Sequence, residues 1–308
     1  MKFQKLRLQN IEELQPYFTS NEERICNLTI GSAFMWRDMC ETEFAIEDET
    51  LFLKGSNYLP GVPAFAQPKS LNPDLDMAAQ LAKIETYCRD AGLPPRLSAV
   101  SGGFLETVRR LYPGATETTD AAWSDYLYNA TDLSELAGRR YSGQRNHINR
   151  FQKQYENWRF EPVGEQNISR VRQFFEIFST ERARDDIAYA EGNAKALEVI
   201  DHLELYKQLG GALFVGDEIV GAAFGEICGD TLFVHTEKAL TEYHGAYPML
   251  VQQFSRYFTT GAVAEAYGEV KFINREEDDG VEGLRVSKQS YHPCALLEKY
   301  NIELERRQ

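Results

Sequence analysis

The chain has 308 residues, 43% of them hydrophobic and 26% charged, which is material for a sizeable core and more length than one ordinary mixed domain uses. Without low-complexity runs, it is neither a disordered tail nor a fibrous repeat. A formal net charge of −14 opposes adventitious binding to nucleic acid or to an anionic membrane, so any polyanionic partner must be gripped by a local basic patch.

The first segment, MKFQKLRLQNIEELQPYF, has no apolar stretch of signal-peptide length, and nowhere do 18 apolar residues run together. A soluble, cytoplasmic protein with no integral membrane segment is expected. The five cysteines (Cys26, Cys40, Cys88, Cys228, Cys294) are scattered and odd in number, with no C-x-x-C pair, so reduced thiols and no metal are expected. An aromatic cluster at Phe34, Met35 and Trp36 precedes Arg37; buried tryptophan beside a surface arginine is the plainer reading, a cleft wall the other. EFAIEDETLFLKG alternates with acids at the bend, the pattern of a β-hairpin. A loop rich in proline and glycine, YLPGVPAFAQPKSLNPD, leads to helical spacing at Leu75, Ala78, Leu81, Ile84 and Cys88, stopped by Gly92 and two prolines. A strand near LSAV and a helix over GFLETVRRLYP complete this half.

Residues 138–160 are a basic stretch in an acidic chain, helical in its later part and placed to join two domains. Helices follow at Ile168, Val171, Phe174, Phe175 and Phe178, and at Leu197, Ile200 and Leu203. The period then changes to two. Runs at 212–215, 219–227 and 231–239 are separated by Gly216-Asp217-Glu218 and Cys228-Gly229-Asp230, turns so short that only an antiparallel meander fits them. After the meander come a helix over AYPMLVQQFSRYF, a strand over EVKFIN, an acidic turn, a helix over VEGLRVSKQSYH and a last strand near ALLEKY.

Four segments carry a resemblance: GRRYSGQRNHINRF (138–151), FVHTEKA (233–239), EYHGAY (242–247) and INREEDDGVEGLRVSKQSYHP (273–293). They resemble the signature of the phosphatidylglycerol lysyltransferase C-terminal domain family. The resemblance implies an α+β fold of two tandem GNAT-like (N-acetyltransferase-type) modules, each a mixed, mostly antiparallel sheet flanked by helices. The expected division is a degenerate N-terminal module, 1–135, and a C-terminal module, 136–308, that carries the site.

The activity it implies is transfer of an acyl or aminoacyl group to an amine or hydroxyl acceptor. The donor is either a coenzyme A thioester or aminoacyl-tRNA, so tRNA is a candidate partner and DNA is not. The lysyltransferases it resembles act beside membrane-spanning segments, so a soluble acceptor is expected over a lipid. A ligand-sensing protein without turnover is the competing class.

In such a module the donor's phosphates lie at a helix N-terminus, where unpaired N–H groups and the helix dipole favour anions. Here the corresponding residues are Gly245, Ala246 and Tyr247, in a loop that keeps the glycine of the coenzyme A signature but opens on Glu242 and closes on Tyr247. Strand alternation puts His235 and Glu237 on one face, where either could take the nucleophile's proton, or the pair could close a salt-bridged strand end. Tyr291 occupies the place of a tyrosine that protonates the leaving group. Asn274 and Glu276 would share one face and Arg275 the other; four consecutive acids from Glu276 need cations, and Arg285 and Lys288 either neutralise them or hold a phosphate or carboxylate. Arg145, His147 and Asn149, within the basic stretch, form either a substrate-binding surface or a solvated helix face.

Overall fold

In a computed structural model, residues 1–56, 62–72, 74–182 and 187–305 are described. Residues 58–61 and 73 of the expected Pro/Gly loop lie outside them.

The first 120 residues form β1 (Gln4–Lys5), α1 (Ile11–Leu14), α2 (Ile30–Met35), β2 (Glu43–Glu47), β3 (Thr50–Gly55), β4 (Ala64–Phe65), β5 (Lys69–Ser70), α3 (Met77–Ala91), β6 (Arg96–Ser101), α4 (Gly102–Leu111) and β7 (Thr116–Thr119). β2 and β3 make the expected hairpin, with Glu47 opposite Thr50; Asp48 and Glu49 both take positive φ, 51° and 55°, as a two-residue turn matched to strand twist requires. α3 starts where the Asp76 side chain accepts the Ala78 N–H and stops at Gly92, left-handed at φ 69°. The Ser101 side chain caps α4 by accepting the N–H of Phe104.

The remaining chain gives β8 (Asp125–Asn129), α5 (Ala130–Glu135), α6 (Ser142–Gln154), β9 (Trp158–Pro162), α7 (Ile168–Arg182), α8 (Ile187–Asp201), α9 (Leu203–Tyr206), β10 (Leu209–Val215), β11 (Glu218–Cys228), β12 (Thr231–Ala239), α10 (Ala246–Thr259), α11 (Gly261–Tyr267), β13 (Phe272–Asn274), α12 (Glu282–Gln289), β14 (Ala295–Leu297) and β15 (Lys299–Glu303). β10, β11 and β12 are the expected antiparallel meander.

Two mixed sheets result, each flanked by helices, in an α+β fold of two tandem modules. One has the order β1-β2-β3-β4-β6-β15-β7, with β5 against β3; the other runs β14-β8-β13-β12-β11-β10-β9. In the second sheet β13 lies parallel to β12, pairing Leu232 with Ile273 and Phe233 with Asn274. A parallel neighbour requires a crossover, supplied by α10 and α11.

The chain divides into two compact units: Met1–Asp125 with Glu277–Val281 and the segment from Leu296 onward, and Tyr126–Glu276 with Glu282–Ala295. This differs from a single division at 135/136 in three places, one of them the return of Glu277–Val281 to the first unit. β8 joins the second sheet, and the tail strand β15 crosses back to pair with β6 and β7. The apolar content of Tyr126–Tyr128 and of Ile302 marks these segments as buried without saying in which sheet, because strand partners are non-local.

In the first unit Phe52, Phe65, Leu81, Ile84, Val100, Val108 and Ile302 pack together. In the second, Tyr128, Phe151, Leu232, Val234, Leu250, Phe254 and Ile273 form the core under α6 and α10. Burying each such side chain stabilises by about 1.5–3 kcal/mol, set against the ordering of the chain.

Candidate functional site

β11 and β12 pair regularly from Cys228 opposite Thr231 to Gly225 opposite Val234, and resume at Phe224 opposite Thr236. His235 is therefore the additional residue of a β-bulge. Gly225 lets the bulge form, since a Cβ there would collide with the Phe233 carbonyl oxygen.

The bulge reverses the alternation. Val234 and Ala239 both lie in the core cluster of the second unit although they are five positions apart, an odd step that an unbroken strand does not permit. Lys238 instead lies over the ring of Phe178 on α7. The expectation that His235 and Glu237 share one face and act together is corrected: each has its own partners.

His235, its side chain 1% exposed, has Nδ1 at 2.7 Å from Glu276 Oε1 and Nε2 at 2.8 Å from Glu226 Oε1. Burial alone would lower its pKa, but the two carboxylates outweigh burial and push it up to about 10. The ring is thus an imidazolium donating to both acids at neutral pH. With both nitrogens protonated, it has no lone pair with which to accept a proton.

Glu276 reaches His235 because β13 ends at Asn274, whose buried side-chain oxygen accepts the Glu276 N–H at 2.7 Å. Glu276 is left-handed at φ 56°, which ends the extended alternation expected through it.

Arg275 forms a second, separate group. Its Nη2 donates to Glu237 Oε1 at 2.9 Å, and its guanidinium lies 4.9 Å from the centre of the Tyr291 ring and 5.9 Å from that of Tyr128. The Arg275 side chain is 9% exposed and that of Glu237 14%. Burial opposes the guanidinium's charge, and Glu237 with the two tyrosines raises its pKa in spite of it. Arg275 Nη1 is buried and has no hydrogen-bond partner. Burial also raises the Tyr291 hydroxyl well above the ordinary phenol range, a shift that Arg275 opposes.

The remaining predicted residues are placed as follows. Lys288 Nζ donates to the carbonyls of Arg275 at 2.6 Å and Glu276 at 3.2 Å, clamping the turn after β13, while Arg285 is half-buried one turn earlier on α12. Gly245 caps α10 at φ 92°, and a Cβ on it would lie 2.5 Å from the His147 carbonyl oxygen on α6. Ala246 is buried, and its N–H donates to the Tyr243 carbonyl; Tyr247 is half-buried. The Tyr243 hydroxyl donates to Glu218 at 2.6 Å, so the loop carries acids where a pyrophosphate would need cations. Arg145 donates to the carbonyls of Leu136 and Gly138, capping the end of α5, while His147 and Asn149 are exposed on α6. The structure thus joins His235 with Glu276, and Glu237 with Arg275 and Tyr291, while Arg145 is engaged with the end of α5 and His147 and Asn149 are exposed.

Sequence reasoning misses Glu226 and Tyr128. Glu226 is a lone acid near the end of the apolar run IVGAAFGEI, a signal for a buried partner of opposite charge. It also misses a cluster in the first unit. Lys299, its side chain 1% exposed, has Nζ at 2.6 Å from Asp125 Oδ1, 2.9 Å from Glu277 Oε2 and 3.4 Å from Cys26 Sγ. Burial opposes ionisation of Glu277, yet the Lys299 ammonium and a hydrogen bond with Asp125 hold its carboxyl down at about 2. Cys26, Asp125 and Glu277 place ligand-type atoms within 4.8 Å of one another, and the ammonium of Lys299 is the cation that lies among them.

Three surface grooves among the described residues have volumes of about 580, 470 and 360 Å³. The first two lie in the first unit; the third is apolar, lined by Leu209, Tyr257, Phe258, Val263 and Tyr267. None of the three is lined by His235, Glu237, Arg275 or the 242–247 loop. At His235, Glu237 and Arg275 the described side chains instead pack as the two hydrogen-bonded groups described above. No helix among the described residues is long and apolar enough to cross a membrane.

Comparison with known proteins adds a family and a set of folds. The family described as "Phosphatidylglycerol lysyltransferase, C-terminal" matches residues 18–303. A conserved protein of unknown function from Bacteroides thetaiotaomicron is 28% identical, with a TM-score of 0.87 over 99% of this chain and 100% of that one. L-PGS from Bacillus licheniformis shares the fold at 11% identity and a TM-score of 0.63, over 96% of this chain and 92% of that one. An uncharacterised protein of Mycoplasmoides gallisepticum is 21% identical over 206 residues, 67% of this chain and 63% of that relative's own length.

Proposed function

The chain belongs to the phosphatidylglycerol lysyltransferase C-terminal family, and from that membership we propose that it transfers an aminoacyl group from an aminoacyl-tRNA ester to an amine or hydroxyl acceptor. The observation that carries this reading is Arg275: a buried guanidinium, braced by Glu237 and two tyrosine rings, with Nη1 unpartnered. A donor of that kind is suited to the oxyanion that forms when an ester carbonyl is attacked, and in a desolvated setting such stabilisation is worth ~10²–10³ in rate. Glu237 engages Arg275 through Oε1 and offers Oε2 to the proton of the attacking amine or hydroxyl. Tyr291 acts in this reading as the wall that fixes the guanidinium. His235 has the different task of holding Glu226 and Glu276.

An aminoacyl ester is favoured over a coenzyme A thioester by the loop at α10, where Glu242 stands in place of the Arg or Gln of the coenzyme A signature and Glu218 approaches Tyr243. The test offers the full chain tRNA charged with a radiolabelled amino acid, with phosphatidylglycerol vesicles and soluble amines as acceptors, in parallel with acetyl-CoA. Label should pass from tRNA to an acceptor. Arg275→Met should lower the single-turnover rate ~10²–10³-fold and Glu237→Gln ~10²–10⁴-fold with donor affinity retained. Transfer from acetyl-CoA alone would overturn the choice of donor, and absence of transfer from either would overturn the enzymatic reading.

A further inference from the structure

The Cys26 and Lys299 pair in the first unit has no part in the proposed transfer. The amine and the sulfur are in direct contact at 3.4 Å, although 273 positions separate them in sequence. Each of two carboxylate oxygens touches both groups: Asp125 Oδ1 is 2.6 Å from Nζ and 3.4 Å from Sγ, and Glu277 Oε2 is 2.9 Å from Nζ and 3.4 Å from Sγ. Proton acceptors therefore already contact both reacting atoms. Cys26 and Lys299 are 2% exposed, which shuts out a bulky thiol such as glutathione. The Glu277 side chain is 21% exposed, so a small oxidant can approach from its side.

We propose that Cys26 and Lys299 are a modification site at which a peroxide joins them through one oxygen, as Nζ–O–Sγ, fastening β15 to the segment that precedes α2. The first peroxide oxidises the thiol to a sulfenic acid and leaves as water. A second peroxide accepts two electrons as the nitrogen bonds to the sulfenic oxygen. One N–H proton and the sulfenic O–H proton leave with the two peroxide oxygens as two waters, and the remaining proton of the ammonium passes to Asp125 or Glu277. Sulfur and nitrogen each lose two electrons, and the two peroxides take up the four.

The link would close a loop of nearly the whole chain, which restricts the unfolded ensemble more than the folded one. It should raise the midpoint of thermal unfolding by several degrees, reversibly with reductant.

The test treats the full chain with hydrogen peroxide and measures intact mass under denaturing, non-reducing conditions. A gain of one oxygen with loss of two hydrogens is expected, together with a joined proteolytic peptide containing Cys26 and Lys299 that separates on reduction. Cys26→Ser and Lys299→Arg should each abolish the joined peptide and the reversible stabilisation. The near-isosteric serine variant keeps the test decisive if the arginine variant folds poorly. Recovery of Cys26 as an alkylatable thiol or a sulfinic acid would overturn the proposal, and so would loss of two hydrogens without gain of oxygen, the signature of a direct S–N bond.

Discussion

His235 shows how one residue type serves opposite ends according to its neighbours. Set between Glu226 and Glu276, it is a buried cation that balances two acids. Because its folded pKa is raised from 6.5 to about 10, its contribution to stability is fully present below the unfolded value and is lost as pH rises through the folded one. Denaturant midpoints measured between neutral pH and pH 10 should fall progressively, and the fall should be smaller in His235→Gln. That variant should itself be destabilised by about 3–5 kcal/mol at neutral pH, since it removes the cation shared by the buried Glu226 and the half-buried Glu276. An unchanged midpoint across that interval would mean that the imidazole is already neutral in the folded protein. The residue types at this site were legible in the sequence; their pairing was not. Arg275 and Glu237 are 38 positions apart in sequence and meet because β12 and β13 are parallel neighbours, a relation that local patterns do not encode.

At the scale of elements, the meander, α10 and α12 follow from periodicity and turn residues, with boundaries within a few residues of the expected ones, whereas α11 was not expected. The bulge in β12 was hidden, because a single inserted residue leaves no mark in an alternating run beyond a glycine on the facing strand. Gly225 is that mark. Gly225→Ala should cost about 1–3 kcal/mol, as strain or as loss of the bulge, and should move the His235 ring resonances if the bulge is lost. Val220→Ala on the same strand removes apolar contact without touching the bulge and should leave those resonances in place while lowering stability by about 1–2 kcal/mol. Equal spectral changes in both variants would show that the bulge is not what sets the ring's position.

On the scale of the whole molecule, the tail is part of the first unit. β15 lies between β6 and β7, and Ile302 sits in the core with Leu97 and Val100. Cutting the chain after Ala295 should therefore unfold far more than a C-terminal fray: β6 and β7 lose their common partner, and Asp125 and Glu277 lose the ammonium of Lys299. Hydrogen exchange should show protection lost across β6 and α4 in the truncated chain, with the amides of β10 to β12 less affected. Protection retained in β6 would show that the first unit stands without its last strand.

The return of β15 also fixes an order of events on the ribosome. Domains are commonly completed from the N-terminus as synthesis proceeds, but here the polypeptide that begins the first unit has been made long before the strand that finishes it. While the second unit emerges and closes, β6 and β7 wait with a strand's width between them, their hydrogen-bonding edges open to any passing extended segment. The first unit to be translated is the last that can be sealed, and only once β15 itself has emerged.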